Sequence, residues 1–314
     1  MLARQGFVEA RGPRGTFVTA APPHVAHYAL CIPETPEGRH GARIRFWTAL
    51  ANEAAAMTAR TDRRVEVFYG SDAGSASEGY RRLEELVREG RLAGVIAPQR
   101  PLALFDEPFM KDSAVVPVAV TGAHPCDEGI SQVELDLAAF ARRAVEHVAA
   151  AGRRRMALLV ALGTPGMDRW RAYARRRKIE IRPHWLHGID PSSPATARSL
   201  TRLLVHRDQR TRPDALVIAD DNLVEHATGG LVDEGVRVPK DLTVVAHCNY
   251  PWPTPSVVPV RRLGYDARRV LEACVECVDA VRSRGAPPRH VKIEPVFEDE
   301  LAPHPELLTG EPRV

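Results

Sequence analysis

The chain has 314 residues, 44% hydrophobic and 26% charged, with a formal net charge of +3. Those proportions are ordinary for a globular protein, and the charge is too small to argue for nucleic acid by itself. No apolar stretch approaches the ~18 residues of a membrane span, and Met1 to Gly6 lead into no apolar core of a secretory signal. A cytoplasmic location away from membranes is therefore expected, with the five cysteines as reduced thiols.

In chain order, the β-prone runs Phe7-Val8 and Thr16-Phe17-Val18 flank Gly12-Pro13-Arg14-Gly15, which is turn chemistry. They predict a small hairpin. Ala21-Pro22-Pro23 reads as a linker, and His24-Val25-Ala26-His27 as a solvated segment. From Tyr28 onward, short apolar runs alternate with amphipathic stretches. Strands are predicted at 28–32, 64–69, 92–97, 114–120, 156–162, 214–219 and 242–246. Helices are predicted at 43–60, 77–89, 135–151, 167–177, 194–207, 222–234 and 265–284. Short apolar strands separated by helices indicate parallel sheets covered on both faces. The rhythm runs too long for one small sheet, so the expectation is an α/β fold of two Rossmann-like lobes side by side. Ligands of open parallel sheets sit beyond the carboxyl ends of the strands, which puts a ligand in the gap between the lobes.

Several constellations read as ordinary structure. Cys274-Val275-Glu276-Cys277 has metal-ligand spacing but lies inside a predicted helix without a second pair. The twelve histidines show no ligand spacing, so neither a metal nor a cofactor is expected. Arg153-Arg154-Arg155 and Arg175-Arg176-Arg177-Lys178 read as solvated helix ends or turns. Gly163-Thr164-Pro165-Gly166 follows a strand and precedes a helix, as a turn lining a cleft does, and lacks the Lys-Ser/Thr of a P-loop. Asp220-Asp221 follows another strand. One of the pair is expected to cap the next helix and the other to face the cleft. No nucleophile elbow or catalytic triad order is present, so no enzyme activity is expected.

Two stretches carry a family resemblance. Ala219-Asp220-Asp221, followed by Gly235-Val236-Arg237-Val238-Pro239-Lys240-Asp241-Leu242-Thr243-Val244-Val245-Ala246, resembles the effector domain of the LacI/GalR regulators. Asp136, His147 and Gly152-Arg153-Arg154, with Leu92-Ala93-Gly94-Val95-Ile96, agree with that family's pattern. The likeness covers roughly residues 28–296. It implies a type I periplasmic-binding-protein-like fold, a sugar-like effector in the cleft and a homodimer. Closure of the lobes would be coupled to DNA-binding heads. Gly6-Phe7-Val8-Glu9 and Gly15-Thr16-Phe17-Val18 resemble the closing wing of a GntR-type winged helix, an arrangement similar to arabinose-repressor-type regulators. The resemblance makes Arg11, Arg14 and Thr16 backbone contacts of that wing. DNA is a partner only where the helices that precede such a wing are also present.

The implied organisation is a wing and linker at 1–22, an effector domain at 23–304 and a tail at 305–314. One lobe comprises about 28–130 plus 256–285 and the other about 131–252 plus 288–302. The chain would cross between them near 121–133, 250–256 and 285–290. Carried over residue by residue, Phe46 and Trp47 occupy the place of the family's effector-facing aromatic pair. Arg169-Trp170-Arg171-Ala172-Tyr173 matches its effector-binding arginine motif with Ala for Gly, so Arg169 is the counterpart. Asp220 stands where the family has Asn, and Cys248 where it has Asp. Asn249 would substitute for that carboxylate, and Tyr250 and Trp252 would add aromatic walls. The rival readings are an interaction or dimerisation module that has lost ligand or DNA binding, and a transporter's solute-binding protein.

Overall fold

The computed structural model describes residues 2, 7–19, 22–35, 44–98, 103–122 and 129–301. The expected tail at 305–314 and part of the first expected crossing, 123–128, lie outside the described residues. The chain opens with an antiparallel hairpin of β1 (Val8–Ala10) and β2 (Thr16–Val18), with Val8 opposite Val18. Arg11 donates to Glu9 at 2.8 Å and lies 5.2 Å from the Phe17 ring centroid, while Arg14 and Thr16 are exposed. A short turn, α1 (Pro23–Ala26), leads into β3 (His27–Ile32). The segment expected to be solvated is thus split. His27 is buried and pairs with Glu66 at 3.0 Å, because β3 begins at His27, in register with Arg64 of the neighbouring strand.

The first lobe continues with α2 (Arg45–Arg60), β4 (Arg64–Tyr69), α3 (Glu78–Arg88), β5 (Gly94–Ala97), α4 (Ala103–Asp106), α5 (Pro108–Lys111), β6 (Val116–Thr121) and β7 (Ser131–Leu135). The second lobe contains α6 (Leu137–Ala150), β8 (Met156–Ala161), α7 (Met167–Arg176), β9 (Leu186–Ile189), α8 (Ala195–Val205), β10 (Ala215–Ile218), α9 (Val224–Asp233), β11 (Thr243–Tyr250) and β12 (Arg261–Asp266). The chain then returns to the first lobe through α10 (Ala267–Arg284) and β13 (His290–Ile293), and ends in the second with β14 (Val296–Phe297).

Two six-stranded sheets result, ordered β13-β7-β6-β5-β3-β4 and β14-β12-β11-β10-β8-β9. Every pair is parallel except β12 with β14. All six side chains of β3 and all four of β5 and β10 are buried, as strands covered on both faces require. One apolar core runs through both lobes, from Leu30 and Val118 in the first to Leu158 and Val217 in the second, with Phe140, Tyr265 and Leu271 among its members. Separate cores lie under α3 and α5 in the first lobe and under α8 and α9 in the second.

The lobe crossings fall later than expected. They lie at Asp136, at Asp266 and between Ile293 and Val296, because 131–135, 261–266 and 290–293 pair as strands before the chain changes lobe. At the first two, a strand of one lobe ends in an aspartate that starts a helix of the other. Asp136 accepts from the Ala139 amide at 2.9 Å, and Asp266 from the Arg268 amide at 2.9 Å. Each cap satisfies an otherwise orphaned helix N–H and fixes where the chain turns.

Candidate functional site

The carboxyl ends of β8, β10 and β11 form the second lobe's face toward the gap. After β8 the chain turns through Gly163-Thr164-Pro165-Gly166 into α7. Gly166 has φ +87°, a left-handed value that favours glycine, and its carbonyl accepts from the Arg169 amide at 2.9 Å. A side chain at Gly166 would lie 3.4 Å from Arg169 Nε, so the glycine leaves room for the arginine beside the turn. Arg169 is exposed and makes no ion pair among the described residues.

Arg169 edges a pocket of about 30 Å³ lined also by Phe140, Val160, Thr164, Trp170, Ala219 and His247. Its aromatic side is a packed cluster. The Phe140 ring lies 6.1 Å from Trp170, 5.4 Å from His247 and 6.5 Å from Tyr265, between centroids. The combination is one cationic fork beside apolar ring faces, the chemistry that holds a polar ring compound.

Behind it sits a buried polar group. Asp220 accepts from the Asn222 amide at 2.9 Å and from Asn222 Nδ2 at 2.8 Å, so it does cap the following turn. Asp221 is buried, and Asn249 Nδ2 donates to it at 2.6 Å. His247 Nδ1 lies 3.9 Å from Asp221, beyond hydrogen-bond reach, and has no hydrogen-bond partner among the described residues.

Burial pushes the Asp221 carboxyl up to about 6, partly offset by the Asn249 bond. Burial also pushes the His247 imidazole down to about 4, against the pull of Asp220. Asp220 is raised by burial and then by the Asp221 charge. The two shifts act oppositely on stability. A carboxyl raised by folding destabilises progressively as pH rises from its unfolded value near 4 to about 6. An imidazole depressed by folding does the reverse, and stability grows as pH rises from about 4 to its unfolded value near 6.5. His247→Gln is therefore expected to become less stable between about pH 4 and 6 relative to the parent, and Asp221→Asn more stable. Urea midpoints across that range check both, and unchanged slopes in both variants would contradict the assignment.

Contacts also span the lobes. The Arg45 amide, at the start of α2, donates to Asn222 Oδ1 at 3.1 Å, and the Arg45 guanidinium reaches Glu225 at 3.3 Å. Trp252 Nε1 donates to Glu53 Oε1 at 3.1 Å, and Arg268 holds the other oxygen of that buried carboxylate at 3.3 Å.

Of the expected site residues, Arg169 lies in the pocket, and Asp220 lies behind it as a cap. Cys248 is fully buried, and burial pushes its thiol up to about 12. Asn249 Nδ2 donates to Asp221 while its Oδ1 has no hydrogen-bond partner among the described residues, and Tyr250 is buried as well. Strand pleating places Cys248 on the face of Val244 and Ala246, toward the outer core, and away from His247. Trp47 is buried at 3% exposure and Phe46 is half-buried against the core, while Trp252 is 44% exposed but engaged with Glu53. Phe140, Trp170, His247, Asn222 and Glu53 were not among the expected residues. Trp170 adjoins Arg169 and His247 lies beside Cys248, so both were one position from the reading. Among the described residues no His, Cys, Asp and Glu side chains group as a metal site, and Cys274 and Cys277 are buried in α10. No described helix is long and apolar enough to cross a membrane.

The chain matches the Periplasmic binding protein-like domain family over residues 127–298, more than half its length. It is similar in fold to a LacI-family regulatory protein from Chloroflexus aggregans, with 20% identity, a TM-score of 0.65, and coverage of 86% of this chain and 96% of that one. A LacI-family regulator from an Arthrobacter species in complex with lactose is 18% identical with a TM-score of 0.64, covering 87% of this chain and 98% of that one. The CelR regulator in its cellobiose complex is 19% identical with a TM-score of 0.65, covering 90% and 85%. No curated protein matches in sequence. With two parallel lobes, a shared interlobe face and that match, the chain belongs to the periplasmic-binding-protein-like domain family.

Proposed function

We propose that this chain is the effector-sensing domain of a transcription regulator, and that it binds a small sugar-like molecule between its lobes without transforming it. The observation that carries the reading is Arg169, an exposed arginine unpaired among the described residues, set at an aromatic-lined pocket at the strand ends. Both neighbouring carboxylates are committed elsewhere, Asp220 to a cap and Asp221 to Asn249, which argues against acid–base catalysis. The lactose and cellobiose complexes of the structural neighbours support a sugar as the effector class.

The pocket of about 30 Å³, lined wholly by second-lobe residues, has room for about one water, so a sugar held by Arg169 extends from it into the gap between the lobes. Among the described residues, the polar contacts that span the lobes include the Arg45 amide to Asn222, the Arg45–Glu225 pair and Trp252 to Glu53, over an apolar core that both lobes share. The exposed Arg45–Glu225 pair contributes no more than ~1 kcal/mol, and hydrogen bonds to charged groups such as Trp252 to Glu53 contribute ~1.5–3 kcal/mol. A ligand touching both lobes can outweigh such a latch and shift the population toward its own closed form. In this reading the hairpin, with Arg14 and Thr16 exposed, is a DNA-facing wing. The chain acts as a homodimer in the cytoplasm, and lobe motion reaches DNA through further helices of the regulator.

Thermal unfolding against a panel of pentoses, hexoses, lactose and cellobiose tests the proposal. At a hundred times its dissociation constant the effector adds about 2.7 kcal/mol, a rise of roughly 5 °C. A panel in which no sugar raises the midpoint would favour the interaction-module reading instead.

A further inference from the structure

A larger cavity, about 710 Å³, opens at the other end of the first lobe. It lies where the chain enters β5 and β6, between the end of α3, α5 and the end of α10. Its volume is in the range of small-molecule sites. The apolar side consists of Val87, Leu92, Phe109 and Val115, all buried. The polar side is unbalanced. Arg282 donates to the Ala114 carbonyl at 3.1 Å, but its Nε has no partner among the described residues, and neither has His24 Nδ1. Arg88 is tied to Glu84 at 2.7 Å.

We propose that this cavity is a second ligand site, taking a small carboxylate with an apolar body. The apolar wall supplies the area that holds the body. The unfilled, buried Nε–H of Arg282 offers a carboxylate oxygen one charge-assisted bond on the planar guanidinium. A dianion such as a phosphate fits less well, because Asp112 also lines the cavity and Arg88 is already neutralised. The His24 ring stacks on Phe7 at 5.5 Å between centroids, immediately before β1. An occupant that reaches His24 therefore touches the segment joining the hairpin to the lobe. This site stands apart from the Arg169 pocket and does not depend on a sugar binding there.

Calorimetric titration of the full chain with phenylacetate and with phenethylamine tests it. Phenylacetate binds one site in the parent, and phenethylamine, with the same ring and the opposite charge, does not. Ala114→Trp fills the cavity from an exposed position and abolishes phenylacetate binding. Arg282→Met, which keeps the apolar stem, weakens it by about tenfold or more. Arg169→Ala leaves it unchanged, which separates this site from the proposed sugar pocket. Absence of binding up to about 10 mM phenylacetate, equal binding of phenethylamine, or full binding by folded Ala114→Trp would overturn the proposal.

Discussion

Arg169→Ala is expected to unfold at the same denaturant midpoint as the parent and to lose its response to the stabilising sugar. The first half follows from exposure. The side chain is on the surface of α7 and makes no ion pair among the described residues, so its removal should change stability by no more than ~0.5 kcal/mol. The second half follows from chemistry. A guanidinium contributes charge-assisted bonds of ~1.5–3 kcal/mol each, and losing two of them weakens binding by about a hundredfold or more. At a fixed sugar concentration that removes most of the thermal shift. Paired melts with and without sugar make the measurement. A variant that responds as strongly as the parent would show that the effector is held elsewhere.

Among the described glycines, Gly264→Ala is expected to be the most damaging gain of a single methyl. A Cβ at Gly264 would stand 1.7 Å from the Cys248 carbonyl oxygen and 2.6 Å from its carbon. Both are backbone atoms of β11, which pairs with β12 from Val245–Arg261 to Tyr250–Asp266. Relief requires the two strands to separate, and β12 leads directly into the Asp266 crossing and α10. The cost should exceed the ~1–3 kcal/mol usual for overpacking, so little soluble protein is expected. Gly229→Ala in α9 is the control. Its Cβ would meet nothing nearer than Arg198 Nε at 3.8 Å, and the helix gains roughly 0.5–1 kcal/mol from the exchange. Soluble yield and urea midpoints compare the two. A Gly264→Ala protein as stable as the parent would mean that β11 and β12 do not pair in this register.

Much of this architecture is legible in the residues. The apolar runs of β3, β8 and β10 and the periodic faces of α3, α6 and α10 announce their elements, because strands and helices buried in layers carry the pattern of their burial. Three of the strands missed, which also include β9 and β14, are of another kind. Ser131–Leu135, Arg261–Asp266 and His290–Ile293 mix charged and apolar residues, and nothing local distinguishes them from loops. They become strands by pairing with partners distant in sequence, such as β7 with β13. Missing them displaced all three crossings.

The site divides along the same line. Arg169 was assigned by its resemblance to the family's arginine motif, and it lies at the pocket that follows β8. Cys248 was placed in the cleft by its correspondence to the family's Asp, and Asn249 as the neighbour that would substitute for that carboxylate. A strand's pleat decides which face each residue takes, and here it buries both. Trp252 was read as a wall, but its partner Glu53 lies on α2 in the other lobe, a pairing that only the folded arrangement creates. Asn222 bonding the start of α2 across the gap belongs to the same class.

A crystal structure of the chain with whichever sugar stabilises it most bears hardest on the account. The sugar should lie between the lobes, bonded to Arg169 beside the Phe140 and Trp170 rings, with the direct bond from Trp252 to Glu53 rearranged to admit it. A sugar bound on an outer surface, with that bond and the gap unchanged, would contradict it.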